Sequence, residues 1–312
     1  MSGHSSVTPY MPRVFSSRSG LLWGLAGVTA FSFTVPFTRV AVETMSPLFI
    51  GSGRAVIAAV LAAAALALTR QSRPSPRQWV RLAIVASGVV VGFPLLTSFA
   101  LVSSSANHGA VVIGVLPAAT AALAVLRGGE HPSRSFWVFA ALGAVAAITF
   151  ASMQGGGLGH ASWSDLALVA AVLAAAIGYA EGGLLARELG AWQTVSWALV
   201  LAAPLTTALT AVSIVVEPPT GGAAEWLSFG YLAVVSMFLG FFAWYRGLAI
   251  GPMAHVSQVQ LAQPVLSIVW AAAILREHIT VPTLLGGAAV ILFAGLAVRV
   301  RAGSPARPRA AA

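Results

Sequence analysis

Residues His108–His131 read HGAVVIGVLPAATAALAVLRGGEH, and residues His255–His278 read HVSQVQLAQPVLSIVWAAAILREH. At a single offset of 147, His108, Pro117, Glu130 and His131 recur as His255, Pro264, Glu277 and His278. Each block contains an apolar run long enough to cross a bilayer, which takes about 20 residues. Histidine and acidic residues are scarce, at 6 and 8 of 312, so the match indicates an internal duplication of membrane helices.

The composition is that of an integral membrane protein. Of the 312 residues, 58% are hydrophobic and only 8% are charged, whereas a soluble domain carries about 25% charged residues. All 17 basic residues are arginines, and they are dispersed along the chain, so no basic face for nucleic acid is predicted. Cysteine is absent, which excludes disulfides, thiolate metal sites and a cysteine nucleophile.

Short charged linkers separate ten predicted hydrophobic spans. The spans cover residues 20–41, 47–69, 80–101, 107–126, 136–153, 164–185, 192–214, 226–245, 253–275 and 281–298. The expected units are an N-terminal tail (1–19), a first five-helix repeat (20–153), an external linker (154–163), a second repeat (164–298) and an Arg/Pro-rich tail (299–312). Close helix packing is predicted by three GxxxG spacings, at Gly20/Gly24, Gly88/Gly92 and Gly178/Gly182.

Arginine placement predicts the orientation of the chain. With the N-terminus in the cytoplasm, 14 of the 17 arginines fall in or beside cytoplasmic segments, as the positive-inside rule requires. Both termini are then cytoplasmic, and the chain is a multi-pass protein of the cytoplasmic membrane. Since each repeat has five spans, the second is expected to be inverted relative to the first, with a substrate site near the midplane between them. The predicted fold is an all-α membrane bundle of about ten helices in two inverted repeats.

Several short features follow one another along the chain. They are Trp23 and Gly24 in the first span, Pro47 and Arg54 at the second, the prolines of the fourth and ninth spans, and the glutamates that end these spans in GGE and ILRE. Together they resemble the EamA-type branch of the drug/metabolite transporter superfamily. The resemblance implies alternating-access transport, often export, of amino acids or other small metabolites through a cavity lined by spans one, three, four, six, eight and nine. The second half departs from the pattern, because it lacks an obvious counterpart of Arg54.

Three ionisable residues are candidates for proton coupling or gating. Glu181 lies late in the sixth span, and a carboxylate within a bilayer is costly unless it faces a cavity or a partner. One hypothesis gives Glu181 a role in proton coupling or in binding a cationic group; the other places it in the headgroup zone near Arg187. His108 and His255 are gate candidates because histidine titrates near physiological pH, although their positions at helix ends also suit a structural role.

Polar and aromatic residues within the spans predict a substrate cavity. The candidate lining residues are Phe31, Thr34, Phe93, Thr97, Tyr179, Phe241, Gln260 and Gln263. Gln260 and Gln263 are three residues apart and therefore share a helix face. Their amides can bind polar groups without the cost of charge, or they can bond to neighbouring helices instead.

Other residues are predicted to shape the helices. Pro117 and Pro264 are expected to kink their spans, since proline lacks an N–H and leaves a carbonyl free. Glu130 and Glu277 are expected to be structural, because they lie at helix ends beside arginines. Trp244 and Tyr245 lie near the end of the eighth span, a position that favours an interfacial aromatic belt over a place in the cavity.

The predicted function is secondary transport of a small organic metabolite such as an amino acid, directed out of the cell. The short linkers leave no room for a nucleotide-binding domain, so the driving force is the substrate gradient or proton antiport. The alternatives are export of lipophilic cations or, in a different class, a non-transporting membrane subunit or a membrane-embedded enzyme. No HExxH or GxSxG motif occurs, so no enzyme activity, cofactor or metal is expected. The expected partners are the lipid bilayer, the substrate and, with antiport, protons; the oligomeric state is left open.

Overall fold

The structure, a computed structural model, describes residues 17–128, 133–154, 162–250, 256 and 259–302, and these residues contain helices and no strand. The α-helices are α1 (Ser17–Ser32), α2 (Thr34–Ala41), α3 (Pro47–Leu68), α4 (Pro76–Val85), α5 (Phe93–Ser103), α6 (Ala106–Ile113), α7 (Leu116–Gly128), α8 (Arg134–Gln154), α9 (Trp163–Leu189), α10 (Ala191–Val216), α11 (Ala223–Tyr231), α12 (Gly240–Ile250), α13 (Ala262–Leu275) and α14 (Val281–Ala302). Two π-helical segments, π1 (Ala86–Gly92) and π2 (Leu232–Leu239), connect α4 to α5 and α11 to α12.

Helix length and composition match a membrane protein. Six described helical stretches are long and apolar enough to cross a bilayer: Ser19–Ala41, Pro47–Leu68, Pro76–Ser103, Trp163–Leu189, Ala191–Val216 and Ala223–Ile250. Four shorter apolar helices accompany them: Ala106–Thr120, Arg134–Ala147, Ala262–Leu275 and Val281–Ala297. The predicted all-α membrane fold is confirmed, while the number of crossings stays a prediction.

Irregular helix geometry recurs at equivalent places in the two repeats. Shifting π1 by the 147-residue offset of the repeat places it on π2. The fourth span is interrupted between α6 and α7 at Gly114–Val115, and the ninth is interrupted before α13 at Gln260–Leu261. Pro117 and Pro264 follow these breaks, and a proline ring clashes with the carbonyl four residues earlier. The repeated prolines therefore place a break in the same region of both repeats.

Helix packing follows a two-fold relation. α3 packs on α10, α6 on α13 and α8 on α14, and each of these contacts joins equivalent spans of the two repeats. α1 of the first span packs on α12 of the eighth, and α5 of the third span packs on α9 of the sixth. The first span of each repeat therefore packs against the third span of the other repeat, as a pseudo-two-fold axis between the repeats requires.

Glycines allow the closest contacts between the repeats. A Cβ on Gly88 would collide with the carbonyl oxygen of Ala174 and lie 3.0 Å from the amide nitrogen of Gly178 on α9. A Cβ on Gly247 of α12 would lie 2.8 Å from the amide nitrogen of Gly24 on α1. The close packing predicted from GxxxG spacing is confirmed at these two crossings.

Candidate substrate site

A small cavity lies between the two repeats. Its walls come from α1, α2, α3, α5, α9, α12 and α13 and from both π-helical segments. The lining residues are Phe31, Thr34, Arg54, Val89, Phe93, Pro94, Ala175, Tyr179, Ser236, Met237, Phe241 and Gln263. The free volume is about 20 Å³, which is room for about one water molecule. The cavity is therefore too small for a metabolite, which enters only if helices move apart.

Buried amides connect this cavity to a second, smaller one. Gln263 lines both cavities, and Gln260 lines the second together with Pro117 and Pro264 at the helix breaks. Gln260 is 1% exposed, and neither its Oε1 nor its Nε2 has a hydrogen-bond partner in the described part of the chain; the same holds for Oε1 of Gln263. A buried polar group without a partner costs about 1–3 kcal/mol, so these amides are available to a ligand.

Aromatic rings form one side of the central cavity. The ring centroid of Phe31 is 4.9 Å from that of Phe241 and 6.3 Å from that of Tyr179. Behind them, Trp244 and Tyr245 are fully buried, and the Trp244 ring lies 5.7 Å from the Tyr179 ring. The interfacial belt expected for Trp244 and Tyr245 is therefore wrong, because α12 turns these residues inward against α1 and α9.

Arg54 is the charged residue of the cavity. It lies two turns into α3 and is 1% exposed. Its Nε and Nη2 have no hydrogen-bond partner among the described residues, and no acidic side chain is among the lining residues. Sequence reasoning used Arg54 only as a mark of family resemblance and missed it as a site residue. The available signal was its place within an apolar span, where an ionisable residue is functional by default.

Hydroxyl groups join the two repeats beside the cavity. The Oγ1 of Thr34 and the Oγ of Ser236 lie 2.7 Å apart, within hydrogen-bond distance, and connect α2 to π2. Ser267 of α13 donates to the carbonyl oxygen of Ser32 at 2.7 Å, and Trp270 Nε1 donates to the Ser32 hydroxyl at 3.0 Å. These bonds hold α1 and α2 against the second repeat.

Most of the predicted lining residues lie on a cavity wall. Six of the eight line the central cavity, and Gln260 lines the adjoining one. Thr97 lines neither; its hydroxyl donates to the carbonyl oxygen of Phe93 at 2.6 Å. The role of each in substrate binding stays a prediction. The gate candidate His255, like Glu130, lies outside the described residues.

Polar contacts join the two repeats at one end of α9. Arg81 of α4 donates through Nε to Glu181 and through Nη1 to Glu188. The Glu181 side chain is 3% exposed and that of Glu188 is 47% exposed. Nearby, the Gln193 amide donates to Gln71 at 3.2 Å. These five residues, which we call the arginine-side lock, connect the first repeat to the second.

A second group of contacts lies at the other end of α9. The Nε2 of His108 is 2.7 Å from Oδ1 of Asp165, and both side chains are buried. The Glu277 carboxylate accepts hydrogen bonds from the backbone N–H groups of Ala106 and Asn107 at 2.8 and 2.9 Å. His108, Asp165 and Glu277, which we call the histidine-side lock, attach α6 of the first repeat to the second repeat.

The position of Glu277 explains why a glutamate ends the ninth span. Its carboxylate lies at the N-terminus of α6, where unpaired N–H groups and the helix dipole favour an anion. The sequence suggested a neighbouring arginine as partner, but the structure shows two backbone amides of the fourth span instead. Within the part of the chain that the structure describes, no three histidine or acidic residues lie close enough together to hold a metal ion.

The comparisons with known proteins agree with this architecture. The sequence pattern of the EamA-like transporter family matches the chain twice, at residues 18–152 and 162–299. The chain belongs to the EamA-like transporter family. The uncharacterized transporter YdeK of Bacillus subtilis (strain 168) is 44% identical to this EamA-like chain over 263 residues, which cover 84% of this chain and 91% of YdeK. A protein of known crystal structure, 18% identical, shares the fold with a TM-score of 0.65 over 93% of this chain and 100% of its own.

Family membership fixes the functional class. This EamA-like protein is a multi-pass membrane transporter and not an enzyme, as the sequence predicted. The lipid bilayer and a small-molecule substrate are therefore its partners.

Proposed function

We propose that this EamA-like protein exports small organic metabolites, such as amino acids, across the cytoplasmic membrane by alternating access. The observation that carries the proposal is the cavity between the repeats, whose wall combines aromatic and polar side chains, with a lock joining the repeats at each end of α9. If one lock opens while the other stays closed, the cavity faces one side of the membrane and then the other, as in other transporters built from repeats.

The proposed topology has ten crossings, an inverted second repeat and both termini in the cytoplasm. Two features support it. The arginine-side lock unites segments that the sequence assigns to the cytoplasm, and the histidine-side lock unites segments that it assigns to the outside. The two-fold packing of equivalent spans agrees with two repeats of five spans each.

Single cysteines test this topology, since the chain has none of its own. Ser72 and Thr220 are exposed and lie in linkers assigned to opposite sides. With a membrane-impermeant maleimide, Ser72→Cys is expected to react only in inside-out vesicles and Thr220→Cys only in intact cells. Reversed labelling would overturn the orientation, and labelling of both from one side would overturn the arrangement of the crossings between them.

For the driving force we propose proton antiport, with the substrate gradient as the alternative. Each lock contains a titratable group, Glu181 in one and His108 in the other. Protonation of Glu181 removes the charge that attracts Arg81, which weakens the arginine-side lock. Under this proposal Glu181→Gln abolishes the pH dependence of transport; a pH dependence equal to that of the wild type would exclude Glu181 as the proton carrier.

Export of lipophilic cations is less well supported. Glu181, the carboxylate that favoured it, pairs with Arg81 in the arginine-side lock. The charged residue on the wall of the central cavity is Arg54, and a guanidinium repels cations.

A metabolite-release assay tests the transport function without a known substrate. Cells that overproduce the wild type are compared with empty-vector cells and with cells that produce Ala175→Trp, whose indole is larger than the cavity beside Ala175 and would block the substrate path when the helices move apart. We expect one or more small metabolites to accumulate in the medium only with the wild type, at equal amounts of membrane-inserted protein. If the media of all three strains are indistinguishable, export is contradicted.

A further inference from the structure

Burying Arg54 costs free energy that no described residue compensates with an ion pair. Its side chain is 1% exposed, and two of its three nitrogens lack hydrogen-bond partners in the described ranges. Arginine stays protonated at neutral pH, and a buried charge persists where it is paired or serves a function. By contrast, Arg81 and Arg39 each have a carboxylate partner. The described residues therefore leave room at Arg54 for an anionic partner.

The geometry around Arg54 selects the kind of anion. A guanidinium presents its N–H groups in a planar fork that matches two oxygens of a carboxylate or of a phosphate. The single positive charge of Arg54 balances a carboxylate, whereas a phosphate monoester carries about −1.5 to −2 at neutral pH. The same cavity offers the amide of Gln263 and the hydroxyls of Thr34 and Ser236 to further polar atoms. The rings of Phe31 and Tyr179 provide an apolar wall. A small molecule with one carboxylate, further polar groups and an apolar part satisfies all of these surfaces.

The charge of Arg54 has no equivalent in the second repeat, although the helix arrangement is repeated. At the 147-residue offset of the repeat, the position of Arg54 corresponds to Leu201, which is 37% exposed on the outside of the bundle. The second repeat contributes the neutral amides Gln260 and Gln263 to the cavities instead. The cavity therefore has a cationic side from the first repeat and a neutral polar side from the second, an arrangement that orients an asymmetric ligand.

We propose that Arg54 binds the carboxylate of the transported molecule, so that the substrates are small carboxylic acids, amino acids included. This inference rests on the proposed export function, and it identifies the charge that the substrate carries at the point of contact. Molecules whose carboxylate is replaced by an amide, ester or alcohol are excluded, because they leave the guanidinium buried and unpaired.

The test compares metabolite release by wild type, Arg54→Gln and Arg39→Gln. Arg39 is the matched control. It lies in the span before that of Arg54, forms an ion pair with Glu43 and does not line the cavity. We expect every metabolite released by the wild type to carry a carboxylate. Its release should fall by about tenfold or more in Arg54→Gln, since loss of a charge-assisted pair costs at least one decade in affinity. Arg39→Gln should release the same compounds as the wild type.

The outcomes separate this inference from the proposed function. If the wild type releases nothing, both fail. If the wild type releases compounds without a carboxylate, or if Arg54→Gln releases carboxylates as well as the wild type does, export stands and the role of Arg54 is overturned.

Thermal unfolding in detergent separates a binding role from a structural one. Because Arg54 has no ion-pair partner among the described residues, Arg54→Gln should have a Tm at or above that of the wild type. A clearly lower Tm would show that Arg54 stabilises the fold, which would contradict its assignment to the substrate.

Discussion

At the scale of single residues, one uncompensated guanidinium determines the electrostatics of the cavity. The rest of the wall is neutral, and Gln263 is the residue that lines both cavities. A carboxylate introduced at this position lies in the same narrow space as Arg54. Such a carboxylate would occupy the position proposed for the carboxylate of the substrate.

Two substitutions of Gln263 distinguish charge from packing. Gln263→Leu removes a neutral hydrogen-bonding group and should reduce metabolite release by about fivefold, the equivalent of about 1 kcal/mol. Gln263→Glu should reduce release further, because its carboxylate pairs with Arg54 and competes with the substrate. Release assays at equal membrane content measure both. Wild-type release by Gln263→Glu would contradict the presence of an anion site in this cavity.

The pair Arg81–Glu181 allows a double-mutant cycle. Removing either partner leaves a largely buried charge, so Arg81→Gln and Glu181→Gln should each lower the apparent Tm in detergent. The double variant should be more stable than the sum of the single losses predicts, with a coupling of about 1–3 kcal/mol. Additive losses would show that the two side chains do not interact. Glu217→Gln, at an exposed glutamate, is the control.

Part of the site could be predicted from sequence at this scale. Rare polar residues inside apolar spans are conspicuous, and Gln260, Gln263 and Thr34 were found in this way. The partner of Glu181 could not be found, because Arg81 is 100 residues earlier in the chain and no local spacing relates them. Arg54 was missed although its place inside an apolar span was a signal, and the fold adds that no described residue lining the cavity is acidic.

At the scale of helices, close contact between the repeats depends on glycine. π1 and α9 approach so closely at Gly88 that an added Cβ would strike the backbone of α9. Gly230 of α11 is the opposite case, because a Cβ there would meet no atom within 4 Å. Both are helical glycines, so they form a matched pair.

Alanine at these two positions should have opposite effects. Gly88→Ala should destabilise the bundle by about 1–3 kcal/mol through overpacking and lower the apparent Tm. Gly230→Ala should leave the Tm unchanged or raise it, because alanine favours a helix over glycine by about 1 kcal/mol. Equal Tm changes in the two variants would contradict the close crossing of π1 and α9.

The repeated glutamate motif also belongs to this scale. Glu277→Gln replaces a carboxylate that binds two N–H groups of α6 with a neutral amide that has one acceptor oxygen. The variant should lose about 1 kcal/mol of stability, a typical value for a helix cap. Thermal unfolding beside Glu217→Gln measures the difference. No difference between the two variants would show that capping by Glu277 does not stabilise the protein.

Helix irregularity was only partly predictable. Proline predicted the two breaks, because its effect on the helix is local. π1 and π2 carry no such local signal, since their sequences, ASGVVVG and LAVVSMFL, have nothing in common beyond their apolar character. Their matching positions become visible only when the repeats are compared in three dimensions. Both line the cavity, in keeping with the frequent occurrence of π-bulges at functional sites.

At the scale of the whole molecule, the two repeats form a bundle with a cavity too small for a metabolite and a lock at each end of α9. The membrane class and the repeat could be predicted from sequence, because hydrophobicity and a fixed offset are properties of the chain alone. The closure of the cavity could not be predicted, because it depends on contacts between residues far apart in sequence, such as His108 with Asp165. Alternating access requires that each lock open independently.

The central claim is that this one cavity opens in turn to both sides of the membrane. The most direct measurement is the labelling rate of Ala175→Cys, a cavity position, by an impermeant maleimide added to intact cells or to inside-out vesicles. With both locks formed, we expect slow labelling from both sides. Added Arg81→Gln should accelerate labelling only from the cytoplasmic side, and added Glu277→Gln only from the outside. Alternating access would be contradicted if Ala175→Cys were labelled from the same side when alone, with Arg81→Gln and with Glu277→Gln. It would also be contradicted if none of the three variants were labelled.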